Sequence, residues 1–376
     1  MKGWYGSMIR VLQVLANLNI NSGMTGVVMN YHRHIDRSRV QFDYVYFDEQ
    51  NRNYSQEIQA LGGKIYKLPK PKLSLDFFRE VSNFLGQHPE YHIIHCHPAW
   101  APFFYGWAAK GTQIDHVIAH SHSTRNGESA IGCFRNSFLR AMALPVVTDY
   151  FACSRAAGRV FPLVQPDRIQ ILENAINTRR FAFCPEIRKQ VRQELNLSKD
   201  TILIGHIGRF EKQKNHYFLI RIFAAFHQRH PKAKLLLVGC GSLKEKIVKQ
   251  IYSMGLEDAV VMLSNRNDVE RLYAAMDLFV LPSLYEGLGM VLLEAQASGL
   301  GCVAADVVPP EAAVTENYSI CSLKDSVNDW ADAMERMLNK TRNFPRQQDF
   351  VTLFYKMGLD LSAAAERLAC RYEQMK

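Results

Sequence analysis

A chain of 376 residues is longer than a single hydrophobic core usually organises, and its 48% hydrophobic content supplies enough apolar side chains for two. The net charge of +9 is modest and contains no dense Lys/Arg run, which argues against nucleic acid as the substrate; no uninterrupted apolar run approaches the roughly 20 residues of a membrane span. Eight cysteines lie scattered without a C-x-x-C pair, and the first residues lack the apolar core of a secretory signal, so reduced thiols and a cytoplasmic location are expected.

Residues 1–7 read as an extension or an alternative start ahead of Met8, where the first predicted strand, 9–15, begins. Further strands are predicted at 42–47, 64–67, 93–96, 116–119 and 150–153, with helices at 26–35, 53–61 and 75–87. Strands and helices that alternate in this way build a parallel sheet. The first strand leads into a glycine-bearing loop containing Ser22-Gly23-Met24-Thr25, which runs into the first helix.

Histidines crowd the middle of this half. His95-Cys96-His97 and His120-Ser121-His122 each end a predicted strand, and strand alternation puts the members of each pair on one face. Two such pairs could hold a metal, but His206, His216, His227 and His230 do not fall at later strand ends to complete a ligand set, so no metal is expected. The aromatic run 99–107 is read as a buried helix rather than a membrane contact. The stretch 125–140, mixing arginines with Phe134, Phe138 and Leu139, suits either an interfacial helix on lipid or a solvated helix packed through one stripe. Residues 1–170 carry 18 Lys+Arg against 12 Asp+Glu, a basic half that suits an anionic membrane surface or a pyrophosphate-linked lipid.

A proline-bearing, charged break between 174 and 197 precedes a second series of strands at 201–207, 234–238, 260–263, 278–281 and 301–304. Two doubly wound domains facing across a cleft follow, because ligands bind beyond the carboxyl ends of such strands. The divisions are drawn at 1–178, 179–354 and 355–376, the last a terminal helix whose Leu361, Ala364, Leu368 and Tyr372 form one packing face. In the second domain, Arg209 and Lys214 follow the first strand and can neutralise phosphate.

The most informative segment is 283–299. A buried strand stopped by Pro282 gives way to Glu286-Gly287-Leu288-Gly289, and a good helix former starts at Met290. Backbone N–H groups at the positive end of a helix favour phosphate. A carboxylate there would repel phosphate, so Glu286 is better suited to accept hydrogen bonds from hydroxyls, and Glu294, two turns on, to do the same for a ribose. Phosphate donors between two hydroxyl-binding carboxylates describe a nucleotide sugar.

Two glutamates eight residues apart around Gly287 and Gly289, at a strand-to-helix turn, resemble the signature of family 4, or group 1, retaining glycosyltransferases of the GT-B fold. Gly208-Arg209 and Lys214-Asn215 resemble the family's G-R-x-x-x-x-K-N run, Val238-Gly239-Cys240-Gly241 its V-G-x-G turn, and Leu263 to Val269 its base-pocket loop, with Ser264 where glycine is usual. The resemblance implies that Glu286 lies beside the donor sugar, Glu294 holds the ribose, Arg209 and Lys214 stabilise the diphosphate, and Asn265 and Arg266 contact the base. Gly23 stands in the family's diphosphate-facing loop, although its first glycine and its acid are missing. His122 takes the place of a histidine that faces the reacting sugar, with His120 where threonine is common. The likeness is nearest to the capsule and exopolysaccharide branch. It implies hexose transfer from a nucleotide diphosphate sugar, UDP being the expected carrier, to a glycan or a lipid-pyrophosphate-linked acceptor. The leaving phosphate would act as base and no cofactor would be needed. A nucleotide-sugar epimerase and a non-catalytic sugar-nucleotide-binding subunit are the alternatives. The first lacks an obvious second carboxylate in the first domain; the second sits poorly with an intact Glu286, Glu294, Arg209 and Lys214.

Overall fold

The computed structural model describes residues 8–375 apart from 21, 50, 124–128, 173, 265, 267, 343–345 and 347–349. The chain divides into two compact units: residues up to Ala175 together with those from Leu361 onward, and Ile176–Asp360. The predicted divisions at 178 and 354 shift to 175 and 360 for a local reason. Ile176 N donates to Leu359 O at 3.0 Å and Thr178 Oγ1 to Asp360 at 2.6 Å, and Phe350 and Phe354 sit in the second unit's core.

In the first unit, strands β1 (Ile9–Val14), β2 (Val40–Tyr46), β3 (Ile65–Lys67), β4 (Tyr91–Cys96), β5 (His116–Ser121), β6 (Asp149–Ala152) and β7 (Ile169–Ile171) form one parallel sheet in the order β3-β2-β1-β4-β5-β6-β7. The second unit repeats the plan with β8 (Leu203–Ile207), β9 (Lys234–Val238), β10 (Val260–Leu263), β11 (Leu278–Leu281), β12 (Gly301–Ala305) and β13 (Tyr318–Cys321), ordered β10-β9-β8-β11-β12-β13. Helices cover both faces of such sheets, so the central strands are apolar on both sides; β8, β11 and β12 are buried at every position. Each unit is a Rossmann-like α/β domain. Strands β7 and β13 were not foreseen from the sequence; both are short edge strands, and Ile320 of β13 is exposed.

The first helix runs Gly23–His34, three residues earlier than predicted. Ser22 supplies the reason: its hydroxyl accepts from Thr25 N, capping a helix whose first turn then contains Gly23. Gly23 is therefore exposed in a helix rather than in the loop before it. The aromatic run is buried as expected, with Phe104 and Tyr105 packed against Phe77 from the helix Pro102–Ala109.

The terminal helix Leu361–Gln374 belongs to the first unit, where Leu361, Ala364, Leu368 and Tyr372 are buried. Arg39 clamps it, reaching Glu366 at 2.8 Å and Glu373 at 2.7 Å. Burial of an apolar stripe, rather than these exposed ion pairs, should carry most of the docking energy. Leu368→Ala is expected to lower the stability of the first unit by about 2–5 kcal/mol in urea denaturation. A loss near zero would mean the helix is not part of that core.

Candidate active site

In each sheet the strand order reverses once, between β1 and β4 and between β8 and β11. Loops leaving the carboxyl ends of such neighbours run to opposite sides and leave a crevice. Most of the sequence-predicted residues lie in the loops and helices that follow these strands, Arg266 following the edge strand β10 instead.

In the second unit, residues 208–215 follow β8 and residues 282–289 follow β11. The first loop is held from one side by backbone pairing, Gly208 N to Val238 O at 2.9 Å and Phe210 N to Cys240 O at 2.8 Å. That approach explains the V-G-x-G turn: a Cβ on Gly239 would stand 2.1 Å from Gly208 O, and one on Gly241 2.5 Å from Phe210 O. From the other side the loop is sewn to the strand-to-helix turn. Leu284 N donates to Gln213 O at 2.8 Å, Gln213 Nε2 to Tyr285 O at 3.0 Å, and Asn215 Nδ2 to Pro282 O at 3.1 Å. Asn215 adopts the left-handed conformation, φ 54°, which asparagine tolerates better than most residues.

This stitching places Lys214 Nζ 2.7 Å from Glu286 Oε1, with Gln213 Nε2 3.4 Å from the other oxygen. Glu286 is only 6% exposed, and a buried carboxylate needs such a partner. Sequence reading assigned Lys214 to phosphate alone and did not foresee the pair; Gln213 it passed over altogether. The helix Met290–Ala297 begins at Gly289, whose φ of +84° suits glycine, so the amides of Met290 and Val291 have no carbonyl partner within the helix. Leu288, just before it, is buried in the core and fixes the turn, while Gly287 leaves it without a side chain. On the same helix Glu294 accepts from Tyr273 OH at 2.8 Å, and burial pushes its carboxyl up to about 7. Arg209 is exposed and makes no ion pair among the described residues. Arg266 is turned onto its own loop, bound through two nitrogens to Asp268 at 2.7 and 2.6 Å, and so is not free as it stands. Asn265 lies outside the described residues.

In the first unit, β1, β4 and β5 bring four histidines together. Rings of His95 and His97 are 4.4 Å apart and those of His120 and His122 3.9 Å apart, as alternation along each strand requires. His95 Nε2 meets His120 Nδ1 at 3.0 Å, and His97 Nδ1 meets His122 Nε2 at 2.9 Å. Gln13 of β1 holds His97 Nε2 at 2.7 Å, and Tyr372 of the terminal helix holds His95 Nδ1 at 2.6 Å. Gln13 could have been noticed as the polar residue between Leu12 and Val14; Tyr372 was read only as packing. Nitrogens of His95, His97 and His120 lie within 4.8 Å of one another, close enough for a metal, yet both nitrogens of His95 and of His97 already have hydrogen-bond partners.

Comparison with known proteins agrees with this geometry. The profile of Glycosyl transferases group 1 matches residues 187–352, and that of Glycosyltransferase Family 4 matches residues 21–180. A Bacillus subtilis protein, provisionally named glycosyltransferase EpsF, is 30% identical over 362 residues, covering 94% of both chains. The chain belongs to the family 4 (group 1) glycosyltransferases. An Escherichia coli enzyme, UDP-Gal:alpha-D-GlcNAc-diphosphoundecaprenol alpha-1,3-galactosyltransferase, is 30% identical over 149 residues, 38% of each chain. Anabaena HepE, solved with UDP, superposes with a TM-score of 0.82 at 18% identity, covering 98% of this chain and all of that one. The two units of this glycosyltransferase thus form a GT-B fold.

The histidine cluster gives the glycosyltransferase a pH signature. Burial holds His95, His97 and His120 well below the usual range, and His122 at about 3. The unfolded chain takes protons onto these rings below about 6.5 while the folded chain does not, so stability is complete above that pH and falls on acidification. Each ring contributes a slope of up to about 1.4 kcal/mol per pH unit. Glu294 acts oppositely: its raised carboxyl contributes stability that is lost as pH rises from the usual carboxylate range through about 7. With four rings against one carboxyl, the thermal midpoint should drop steeply from pH 7 to pH 5. A midpoint unchanged over that interval would contradict the neutral cluster.

Proposed function

We propose that this glycosyltransferase is a retaining, metal-independent hexosyltransferase that moves a sugar from a UDP-sugar to a glycan or lipid-pyrophosphate-linked hydroxyl, in capsule or exopolysaccharide assembly. The observation that carries this reading is the buried Glu286–Lys214 pair beside the N-terminus of the helix Met290–Ala297, where the amides of Met290 and Val291 lack a partner within the helix. Amides and Arg209 suit a diphosphate, whose negative charge grows as the glycosidic bond breaks, and fixed cations do there what a divalent ion does elsewhere. Lys214 serves both partners, neutralising Glu286 before the donor arrives and sharing its charge with phosphate afterwards. Glu286 then accepts from sugar hydroxyls and Glu294 from the ribose, while His122 keeps the sugar-facing role that the family likeness gives it. Asn265, Arg266 and Gly23 keep the base-side and diphosphate-side roles that the family likeness gives them, with Arg266 needing to leave Asp268 or to act through its backbone. The UDP in HepE and the UDP-Gal donor of the E. coli relative support UDP as carrier.

A cytoplasmic enzyme peripheral at the membrane is the second part of the proposal. Among the described residues no helix is long and apolar enough to cross a bilayer. The helix Ala130–Ala143 instead exposes Ile131 (84%), Phe134 (77%), Phe138 (56%) and Met142, a stripe at spacings of three and four. That stripe on the basic first half suits an anionic lipid surface, and the diphosphoundecaprenol acceptor in the relative's name suits such a location. Among the described arginines of this stretch, Arg135 is exposed, whereas Arg140 is buried, its guanidinium on Ser137, and cannot face lipid.

Incubation with labelled UDP-sugars and membrane lipid extract tests the transfer. Glu286→Ala should lower turnover about 100-fold or more with little change in the donor's KM, and EDTA should leave transfer unaffected. An intact turnover with a raised KM, or an absolute need for magnesium or manganese, would overturn the assigned roles. In liposome sedimentation, binding should rise with anionic lipid, fall as salt shortens the Debye length to about 10 Å at 0.1 M, and drop when Phe134 and Phe138 are both changed to Ser. Indifference to anionic liposomes at low salt would make a freely soluble acceptor the better reading.

A further inference from the structure

The hydrogen-bond chain through the histidines has a direction, and Gln13 sets it. Its side-chain oxygen faces His97 Nε2 at 2.7 Å and its nitrogen faces Tyr372 OH at 3.4 Å. An amide oxygen only accepts and an amide nitrogen only donates, so His97 must carry its proton on Nε2, and the Tyr372 oxygen must accept. A neutral imidazole has one N–H, which makes His97 Nδ1 a lone pair that accepts from His122 Nε2–H across 2.9 Å. His122 Nδ1 is then a lone pair as well. Along the other branch, Tyr372 spends its proton on His95 Nδ1, His95 donates Nε2–H to His120 Nδ1, and His120 is left with its proton on Nε2.

Both chains end in an atom that is buried and has no partner among the described residues: His120 Nε2, a donor, and His122 Nδ1, an acceptor. Buried polar atoms without partners are costly and rare. One is a donor and the other an acceptor, on rings whose centroids are 3.9 Å apart, and such a pair suits hydroxyls, which both accept and donate. The pair matches an anion poorly, because the lone pair would repel it and all four rings are neutral.

We propose that Gln13 and Tyr372 are positioning residues that fix the tautomers of the four histidines, so that the first unit presents His120 Nε2–H as a donor and His122 Nδ1 as an acceptor, a pair suited to a sugar hydroxyl. The choice of hydroxyl rests on the transferase reading given above; the tautomers do not. The terminal helix thereby reaches the chemistry through Tyr372 rather than serving only as packing.

Side-chain nitrogen NMR on the full-length protein labelled with 15N-histidine reads each tautomer without substrate, so its outcome is separable from that of the transfer assay. The expected result is an unprotonated, deshielded Nδ1 on His122 and His97, and an unprotonated Nδ1 on His95 and His120. Protonated Nδ1 on His122 and His97 would mean that Gln13 is turned the other way and would overturn the proposal. A metal copurifying with the chain and shifting His95, His97 and His120 together would overturn it as well. The variants separate the branches. Gln13→Glu can accept from both neighbours but donate to neither, so Tyr372 turns its proton to the introduced carboxylate. The His95–His120 branch then reverses, moving the His120 proton to Nδ1, while His122 keeps its tautomer. Tyr372→Phe removes the anchor of that same branch, so His120 should lose its single tautomer and His122 should not. Equal changes in both branches, or none, would reduce Gln13 and Tyr372 to ordinary packing.

Discussion

The single reversal of strand order in each parallel sheet is the constraint on which the rest depends. Where β8 and β11 lie side by side, the chain leaves their carboxyl ends in opposite directions, and two loops that are some 70 residues apart in sequence face each other without a helix between them. The contacts between these two loops follow from that opening: Gln213 can hold the turn after Pro282, Asn215 can reach Pro282 O, and Lys214 can reach Glu286. The same reversal between β1 and β4 lets Gln13 meet His97 in the first unit. The glycines at 239 and 241 are a consequence of the same crowding, since side chains there would occupy the backbone oxygens of residues 208 and 210.

The two sites solve the problem of buried polarity in different ways. In the second unit a carboxylate is removed from water and an ammonium group is brought to it, which is stable only if the pair is well placed and further hydrogen-bonded. Gln213, donating to Glu286 and to Tyr285 O, supplies that second anchor. In the first unit's histidine cluster no ring is charged. Four imidazoles share protons along two chains, and their burial is tolerable because each inner nitrogen has a partner and, among the described residues, only the terminal ones do not. A charged pocket suits a diphosphate; a neutral donor–acceptor pair suits hydroxyls. On the proposed function, the chemistry divides between the units along the same line as the electrostatics.

Sequence reading reached the architecture because its signals are local. Buried parallel strands are continuous apolar runs, and β9, β10 and β11 were placed residue for residue at 234–238, 260–263 and 278–281. It failed at β7 and β13, where an edge strand needs only one neighbour and little apolar length, and at Gly23, where the serine cap advanced the helix start by a turn. Within the candidate site, the placement of Glu286, Arg209, Lys214 and His122 beyond strand ends was legible because glycine turns and strand ends mark them. Gln13, Gln213, Tyr273 and Tyr372 were not, because their importance lies in partners far along the chain or on another element. Arg140 shows the converse. Its charge and spacing matched a lipid-facing helix, but a helix has two faces, and the register that exposes Ile131, Phe134 and Phe138 turns Arg140 inward.

That register carries the argument one step further. A helix that presents four large apolar side chains to solvent loses the burial that would normally stabilise it. Its inner face retains Leu139, Ala143 and the buried Asn136 and Arg140, of which the last has an unpartnered Nε and a guanidinium acidified by burial. Both faces are therefore costly as the protein stands, the outer for exposed apolar area and the inner for a charge held away from water. A lipid surface relieves the outer cost by covering the stripe. A polar acceptor headgroup presented at the same surface would be the kind of group to approach a basic unit whose neutral histidine pair is already set for a hydroxyl. On the proposed function, recruitment to a membrane and recognition of hydroxyls would both fall to the first domain, and the nucleotide to the second.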